Sequence, residues 1–365
     1  MGMRFGERLQ VTLFGESHGA VVGALLEGMP AGIPFDADLL VSNLRRRRPG
    51  AKDLSQRKES DVCEVLSGVY EGCTTGWPIL LLVRNHDASS SDYTFLPDHP
   101  RPGHADLPES VATAGHADPR GGGSQSGRLT LGLVAAASFT EPLLDGWGWR
   151  VVAHLGSVGE IETTPLLDLI DANSSFPAAG PGARLNCLDS TAAEEIQKLI
   201  HDLRLQKDSI GSSVDVAILN LPLGFGEPWF EGLEPVLAHG MMAIPGARAV
   251  EFGRGVRVSK MRGTEHNDAW GLGPDGPTLS SEGADGALGG RATGAPLLMR
   301  VHFKPPSSIP STQSTLHLPS GELRDLKVGG RHDPVLGPRA APVVEAVAKL
   351  VLTDLGLLSG RYVDE

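Results

Sequence analysis

"GCTTGWPILLLV", residues 72–83, and "GRATGAPLLMRV", residues 290–301, align without a gap and agree at Gly, Thr, Gly, Pro, Leu and Val. Each reads as a glycine turn that opens into a strand: the glycines let the chain reverse, and an aliphatic run follows the proline. Downstream of each lies a glycine-rich loop, "RGGGSQSGR" at 120–128 and "VGGRHDPVLGPR" at 328–339. Beyond each loop a helix is expected, over "LTLGLVAAASF" and "APVVEAVAKLVLTDLGLL", the second with Pro342 in its first turn and Gly360 just past its end. Within a length that fits one large domain or two ordinary ones, the recurrence of turn, strand, loop and helix in one order predicts two related halves. These are about 1–150 and 210–365, joined by a helical and looped segment, 151–209.

Outward from the repeat, "RLQVTLF" alternates Leu9, Val11 and Leu13 with polar residues, the period of a half-buried strand. It runs into "GESHG", where Gly15 and Gly19 leave Glu16, Ser17 and His18 at a strand end. "TAAEEIQKLIHDLRLQKDS" has a capping-box start at Thr191 and Glu194 and a stripe of Ile196, Leu199, Ile200 and Leu203, which predicts an amphipathic helix. "SVDVAILNLPL" and "LLMRVHFKP" read as strands. Interleaved strands and helices give an α+β or α/β fold with helices covering sheets.

With 365 residues and a formal net charge of −12, the chain has room for a large core and lacks the broad positive potential of a nucleic-acid surface. Any anion site in it must be local. Cys63, Cys73 and Cys187 form no CxxC or Cys/His cluster, which speaks against disulfides and zinc. The N-terminus has no basic-then-apolar leader, and no apolar run reaches the roughly 20 residues needed to span a bilayer. The expectation is a reducing, cytoplasmic setting with no membrane and no nucleic-acid partner. "GLGPDG" at 271–276 matches GxGxxG in letters only, because no strand precedes it and no helix follows.

What remains suits a small, strongly anionic ligand. "NLRRRRPG" sets Arg45–Arg48 at the end of a helix that starts at Asp36, with one or two of the arginines facing a site and the rest solvent. "RPGHAD" at 101–106 supplies a second histidine, His104. "KPPSS" at 304–308 places Lys304 and two hydroxyls at a strand end, and "GRHDP" offers Arg331, His332 and Asp333 before a helix, an anion cradle with a carboxylate base.

In order, "FGESHG", "RRRPG", "RPGHAD", "RGGG..SGR", "DSIGSSVDV", "GFGEPWF", "LGG", "KPPSSI" and "GRHDPVLGPRAAPVVEA" resemble the chorismate synthase family over about residues 5–355. The resemblance implies a single domain, 1–365, folded as a pseudo-symmetric β-α-β-α sandwich of two related halves, α+β in class. It implies a lyase that converts 5-enolpyruvylshikimate 3-phosphate to chorismate by 1,4-elimination of phosphate and a ring proton, with reduced FMN and no net redox change. By motif, His18 resembles the acid at the leaving phosphate, His104 the histidine beside the flavin, and Asp333 the acid assigned to proton transfer through flavin N5. Ser17, Arg47, Arg128 and Arg339 match substrate-binding positions. Ser124, Gln125, Ser126, Gly289, Lys304, Ser307, Ser308 and Arg331 match the flavin-binding set, and no metal is implied. A homotetramer is implied too, and the lack of a nicotinamide fingerprint points to an external flavin reductant.

The chain departs from the family pattern where Ser124 replaces an arginine and Gln125 a serine, where Ala117 replaces an arginine, and at Asp285 and Pro306. Arg291 is the expected compensating cation. Two alternatives to the family reaction stay open: a paralogue acting on another enolpyruvyl or phosphate ester, and a catalytically silent homologue.

Overall fold

The computed structural model describes residues 2–48, 61–85, 93–170, 176–177, 179–274, 276–279, 285–329 and 332–360. Its first sheet has strands β1 (Arg4–Phe5), β2 (Gln10–Gly15), β3 (Val21–Glu27), β4 (Cys63–Val65) and β5 (Ile79–Arg84), in the antiparallel order β1-β2-β3-β5-β4. Its second has β6 (Arg150–Val158), β7 (Ile161–Glu162), β8 (Ser212–Leu219), β9 (Ala247–Phe252) and β10 (Leu297–Phe303), in the antiparallel order β7-β6-β8-β10-β9. The strands of the repeated stretch, β5 and β10, hold the same fourth place in their sheets. The shared glycines have a physical account: Gly72 and Gly76 sit at φ +77° and +80°, Gly290 and Gly294 at +85° and +84°, a region that a Cβ disfavours.

The helices complete the correspondence. In chain order they are α1 (Ala37–Arg47), α2 (Asp106–Ala112), α3 (Thr130–Ala137), α4 (Ser190–Gln206), α5 (Leu233–Met242) and α6 (Gly337–Leu358). Helices α1 and α5 occupy equivalent places between strands, and α3 and α6 follow β5 and β10. Helices α1, α3, α5 and α6 fill the space between the sheets and share one core with them, from Val22, Leu26 and Leu81 through Leu44, Val134 and Val347 to Val214, Val216 and Val301. On the far side of the second sheet, the short helix Leu166–Leu169 covers Val152, Ala217 and Leu298, and α4 covers Leu155 and Val158 through Ile196 and Ile200. The layers are thus sheet, helices, sheet, helices, an α+β sandwich of two related halves.

Three expectations need correction. The joint 151–209 is partly sheet, because β6 lies in it between β7 and β8. This strand is buried on both faces, so it lacks the alternation by which a half-exposed strand is recognised. Helix α4 is capped by Asp189, whose carboxylate accepts from Ala192 N, and not by Thr191. Helix α6 begins at Gly337, so Pro342 lies inside it. The carbonyl of Pro338 that Pro342 cannot serve is taken by the Asn186 side chain at 2.8 Å, which removes the penalty of an orphaned acceptor. "GLGPDG" falls in a hairpin of Trp270–Gly273 with Gly276–Leu279, consistent with its rejection as a nucleotide loop.

Because α6 is wrapped on nearly all sides, its ionic residues must be matched. Glu345 takes two bonds from Arg46, at 2.8 and 3.2 Å, and one from Lys349 at 2.8 Å. Burial alone would raise the Glu345 carboxyl, but these cations outweigh it and bring it down to about 2. Asp354 accepts from the backbone N–H groups of Glu7, Arg8 and Leu9 at 2.7 to 2.9 Å, tying the entry to β2 to the last helix.

His154 on β6 is fully buried. Its Nδ1 accepts from Leu188 N, and its Nε2 has no hydrogen-bond partner among the described residues. Burial lowers its pKa to about 4. The group is neutral in the fold, so as pH falls from about 6.5 to about 4 the unfolded chain takes up a proton that the folded chain refuses, and stability drops across that window. At pH 5 the loss is about 2 kcal/mol. Urea unfolding at pH 7 and pH 5 should therefore show a drop in the wild type that shrinks by that amount in His154→Gln. Equal drops in both proteins would show that His154 titrates normally.

Candidate active site

The glycine loop after Arg120 makes three successive left-handed steps, at Gly121 (φ +62°), Gly122 (+92°) and Gly123 (+53°). Only glycine takes such a run cheaply, and here absent side chains also make room. A Cβ on Gly121 would collide with the His18 ring and Ser17 Oγ, and one on Gly122 would press on the His104 ring. Two histidines from different loops thus lean on one backbone segment. Ser17 braces that segment: its N–H donates to Gly123 O at 3.2 Å and its Oγ to Arg120 O at 3.3 Å.

In front of the loop lies a cavity of about 650 Å³, formed where the end of α1, the loop before α2, the start of β9, the end of β10 and the start of α6 converge. Arg47, Arg101, Arg128, Arg248, Arg339 and Lys304 line it, against one lining carboxylate, Asp333, among the described residues. In a chain of net charge −12 this is a concentrated positive site. Arg47 and Arg128 are both held in place by Asp61, 3.9 Å from Arg47 Nη1 and 3.1 Å from Arg128 Nη1. Arg47 also donates to Thr130 Oγ1 and Gly127 O, and Arg128 to Asn85. Of the four consecutive arginines, Arg47 enters the cavity, Arg46 turns to Glu345 and Arg45 is exposed.

Arg101 and Asp106 form the other wall. Arg101 binds both Asp106 oxygens, at 2.8 and 2.6 Å, and reaches Ser308 Oγ at 2.9 Å. His104 Nδ1 lies 2.7 Å from Asp106 Oδ1 and 3.1 Å from Arg101 Nη2. A guanidinium only donates and a carboxylate only accepts, so the shorter contact fixes the proton on Nδ1 toward Asp106. Burial alone would raise the Asp106 carboxyl, but Arg101 and His104 hold it well below the usual carboxylate range. Across the cavity Lys304 Nζ donates to Gly103 O and to Ser307 Oγ, joining the two halves. Burial, and then the charge of Arg248, lower the Lys304 pKa.

Asp333 pairs through Oδ2 with Arg339 Nη1, while its buried Oδ1 has no hydrogen-bond partner among the described residues. A carboxylate oxygen left open beside an anion-binding surface is placed to take a proton.

The cavity gathers Arg47, His104, Gln125, Ser126, Arg128, Lys304, Ser307, Ser308, Asp333 and Arg339 of the expected set. His18 stands behind its wall, edge-on to Tyr93 at 5.1 Å and against Gly121, both of which line the cavity. Ser17 is not a lining residue, because both its donors are committed to the glycine loop. Ser124 is likewise outside the lining, so its lost arginine does not empty the wall. Gly289 is a turn residue of the hairpin Ala287–Leu288 with Arg291–Ala292, outside the cavity. Arg331 lies outside the described residues. Arg291 does not compensate at the cavity: it binds the carbonyls of Gly224 and Gly226 and lies 3.3 Å from Glu227. Arg291→Ala should accordingly leave the affinity for phosphate within about twofold in calorimetric titration, since surface pairs contribute little.

The residues that sequence reasoning missed are Tyr93, Arg101, Asp106 and Arg248. Arg101 and Asp106 flank His104 at −3 and +2 within the motif already singled out, a usable signal; Arg248 sits in no motif.

Comparisons with known proteins agree along the whole chain. The pattern of the family described as chorismate synthase matches residues 9–357. The chain is 44% identical over 360 residues to the chorismate synthase of Aeropyrum pernix, covering 99% of this chain and 94% of that one. It is 39% identical to that of Methanosarcina acetivorans, covering 98% and 97%, and 41% identical to that of Protochlamydia amoebophila, covering 97% of each. A solved structure titled crystal structure of chorismate synthase superposes with a TM-score of 0.72 at 26% identity, covering 97% of this chain and 93% of its own. Full-length likeness in sequence and in fold, together with a cation-rich cavity built from the family's own motifs, makes this chain a member of the chorismate synthase family.

Proposed function

We propose that the chain carries out its family's elimination at the 650 Å³ cavity, with the residues gathered there in the roles below. The supporting observation is six cations facing one open carboxylate oxygen, beside His104 and in front of His18, in an acidic protein. A substrate with one phosphate and two carboxylates calls for such a cluster, since charge-assisted bonds contribute about 1.5–3 kcal/mol each. The volume lies within the ~300–1,000 Å³ of ligand pockets. Reduced FMN also fits the residues present: Lys304, Ser307, Ser308, Gln125 and Ser126 offer donors for its phosphate and polar edge, and the glycine loop supplies a close backbone approach. When bound, the reduced flavin supplies electron density for departure of the phosphate and recovers it.

The chain's own residues bind, orient and move protons. Arg47, Arg128 and Arg339 hold the anionic groups of the substrate. His18, whose ring is seated against the cavity-lining Gly121, donates a proton to the leaving phosphate and Oδ1 of Asp333 accepts the ring proton; exchange with solvent then returns both groups to their starting states. Asp106 keeps His104 protonated at Nδ1 and fixes its ring.

The reductant is external. Exposed Trp229, Phe230 and Leu272 support subunit contacts in a homotetramer. No helix among the described residues is long and apolar enough to cross a membrane. The unpaired Cys63, Cys73 and Cys187 suit the cytoplasm. The equal places of β5 and β10 support one domain with an internal repeat.

The deciding experiment is anaerobic turnover of 5-enolpyruvylshikimate 3-phosphate with chemically reduced FMN, followed by chorismate absorbance. Expected is turnover that falls by about 10²- to 10⁴-fold in His18→Ala. FMN binding without turnover in the wild type would instead favour a different phosphate ester as substrate.

A further inference from the structure

The loop that carries Arg101 and His104 is gripped from outside the cavity. His99 precedes it, is 8% exposed, and does not line the cavity. Its Nε2 lies 3.2 Å from Thr315 O and 3.3 Å from Arg324 O. These carbonyls face each other across the hairpin Gln313–His317 with Glu322–Leu326, where Thr315 and Arg324 are paired in register. Two acceptors at one ring nitrogen require the proton on Nε2, so one imidazole bridges both strands. The same hairpin donates from Leu318 N to Asp98 O at 2.8 Å and from Thr315 Oγ1 to Pro100 O at 3.0 Å, and the His317 ring meets His99 edge-on at 5.7 Å.

The hairpin is otherwise mostly solvent-facing and contributes no residue to the cavity. The loop it grips contains Pro97, Pro100 and Pro102, which donate no backbone hydrogen bonds, so beside its few internal bonds it depends on partners outside it. We propose that the hairpin 313–326 is a clamp from the second half of the chain, and that His99 is the positioning residue through which it holds Arg101 and His104 at the anion cavity.

The inference rests on the proposed function in taking Arg101 and His104 as working groups, and its test separates the two. His99→Ala, His99→Gln and Thr315→Val are made in the full chain. Each is followed by hydrogen exchange over residues 98–106 and by kcat and KM in the anaerobic assay. In His99→Ala, protection of 98–106 should fall at least about tenfold, and kcat should fall about tenfold with KM within twofold, because small displacements of oriented groups weaken the chemical step. His99→Gln places an amide N–H where Nε2 stood and should restore both, which a loss of packing alone would not allow. Thr315→Val, which removes only the bond to Pro100, should lower protection of the same segment about threefold. Unchanged protection in His99→Ala, or equal losses in the Ala and Gln variants, would overturn the clamp. A wild type without turnover would instead defeat the functional reading, while the exchange data still decide the clamp.

Discussion

Asp333→Asn is expected to lower kcat by about 10²- to 10⁴-fold with little change in KM, the range for removing a general base. The asymmetry of its two oxygens is the reason. Oδ2 is committed to Arg339, whereas Oδ1 is buried and has no hydrogen-bond partner among the described residues, the arrangement of a group held for a proton that is not yet there. Asparagine keeps the shape and can still meet substrate, so binding survives while proton acceptance does not. Single-turnover measurements under anaerobic conditions read the chemical step directly. A fall of less than tenfold would assign the proton to another group, and His332 would be the next residue to test.

Asp106→Leu should cost about 3–5 kcal/mol of stability, the range for removing one partner of a buried ion pair. Arg101 is 5% exposed and donates three hydrogen bonds to this carboxylate, one from its backbone N–H and two from its guanidinium, so the variant leaves a buried charge unmatched. His104 loses the acceptor that sets its tautomer, and activity should fall with stability. The pH dependence has a definite sign. Because the folded-state pKa of Asp106 is depressed, its contribution is present above the unfolded value near 3.8 and is lost as pH falls through the folded one. Denaturant unfolding at neutral pH checks the magnitude, and a loss below 1 kcal/mol would mean that solvent reaches Arg101.

The strands with one wet face were legible as sequence, since Leu9 and Val11, or Met299, Val301 and Phe303, announce themselves by alternation. Helix α1 was equally plain, with Asp36 as its cap and arginines at its end. Strand β6 was not, because burial on both faces erases the period. The true start of α6 was hidden by Pro342, whose tolerance depends on Asn186, a residue far away in sequence. In the site, glycine- and proline-flanked motifs identified His104, Arg128, Lys304 and Asp333, because backbone demands leave a local trace. Arg248 left none, since a charged side chain at a strand start is ordinary until the fold shows what it faces. Gly289 and Arg291 lie away from the cavity for local reasons: Gly289 turns a short hairpin, and Arg291 in that hairpin binds the carbonyls of Gly224 and Gly226 in a different loop.

Helix α6 has a further consequence, for synthesis. It packs along β6 and β8 and against α1, α3 and α5, and it also supplies Asp354 to the turn before β2, a contact spanning 345 residues from Leu9. A ribosome adding about 5–20 residues per second needs roughly 15 to 60 s between finishing α1 and finishing α6. During that interval α3 already lies on the first sheet, but the sides of α1 and α3 that α6 will cover stay open to solvent. Truncation ahead of Gly337 should therefore yield aggregated product rather than a folded half.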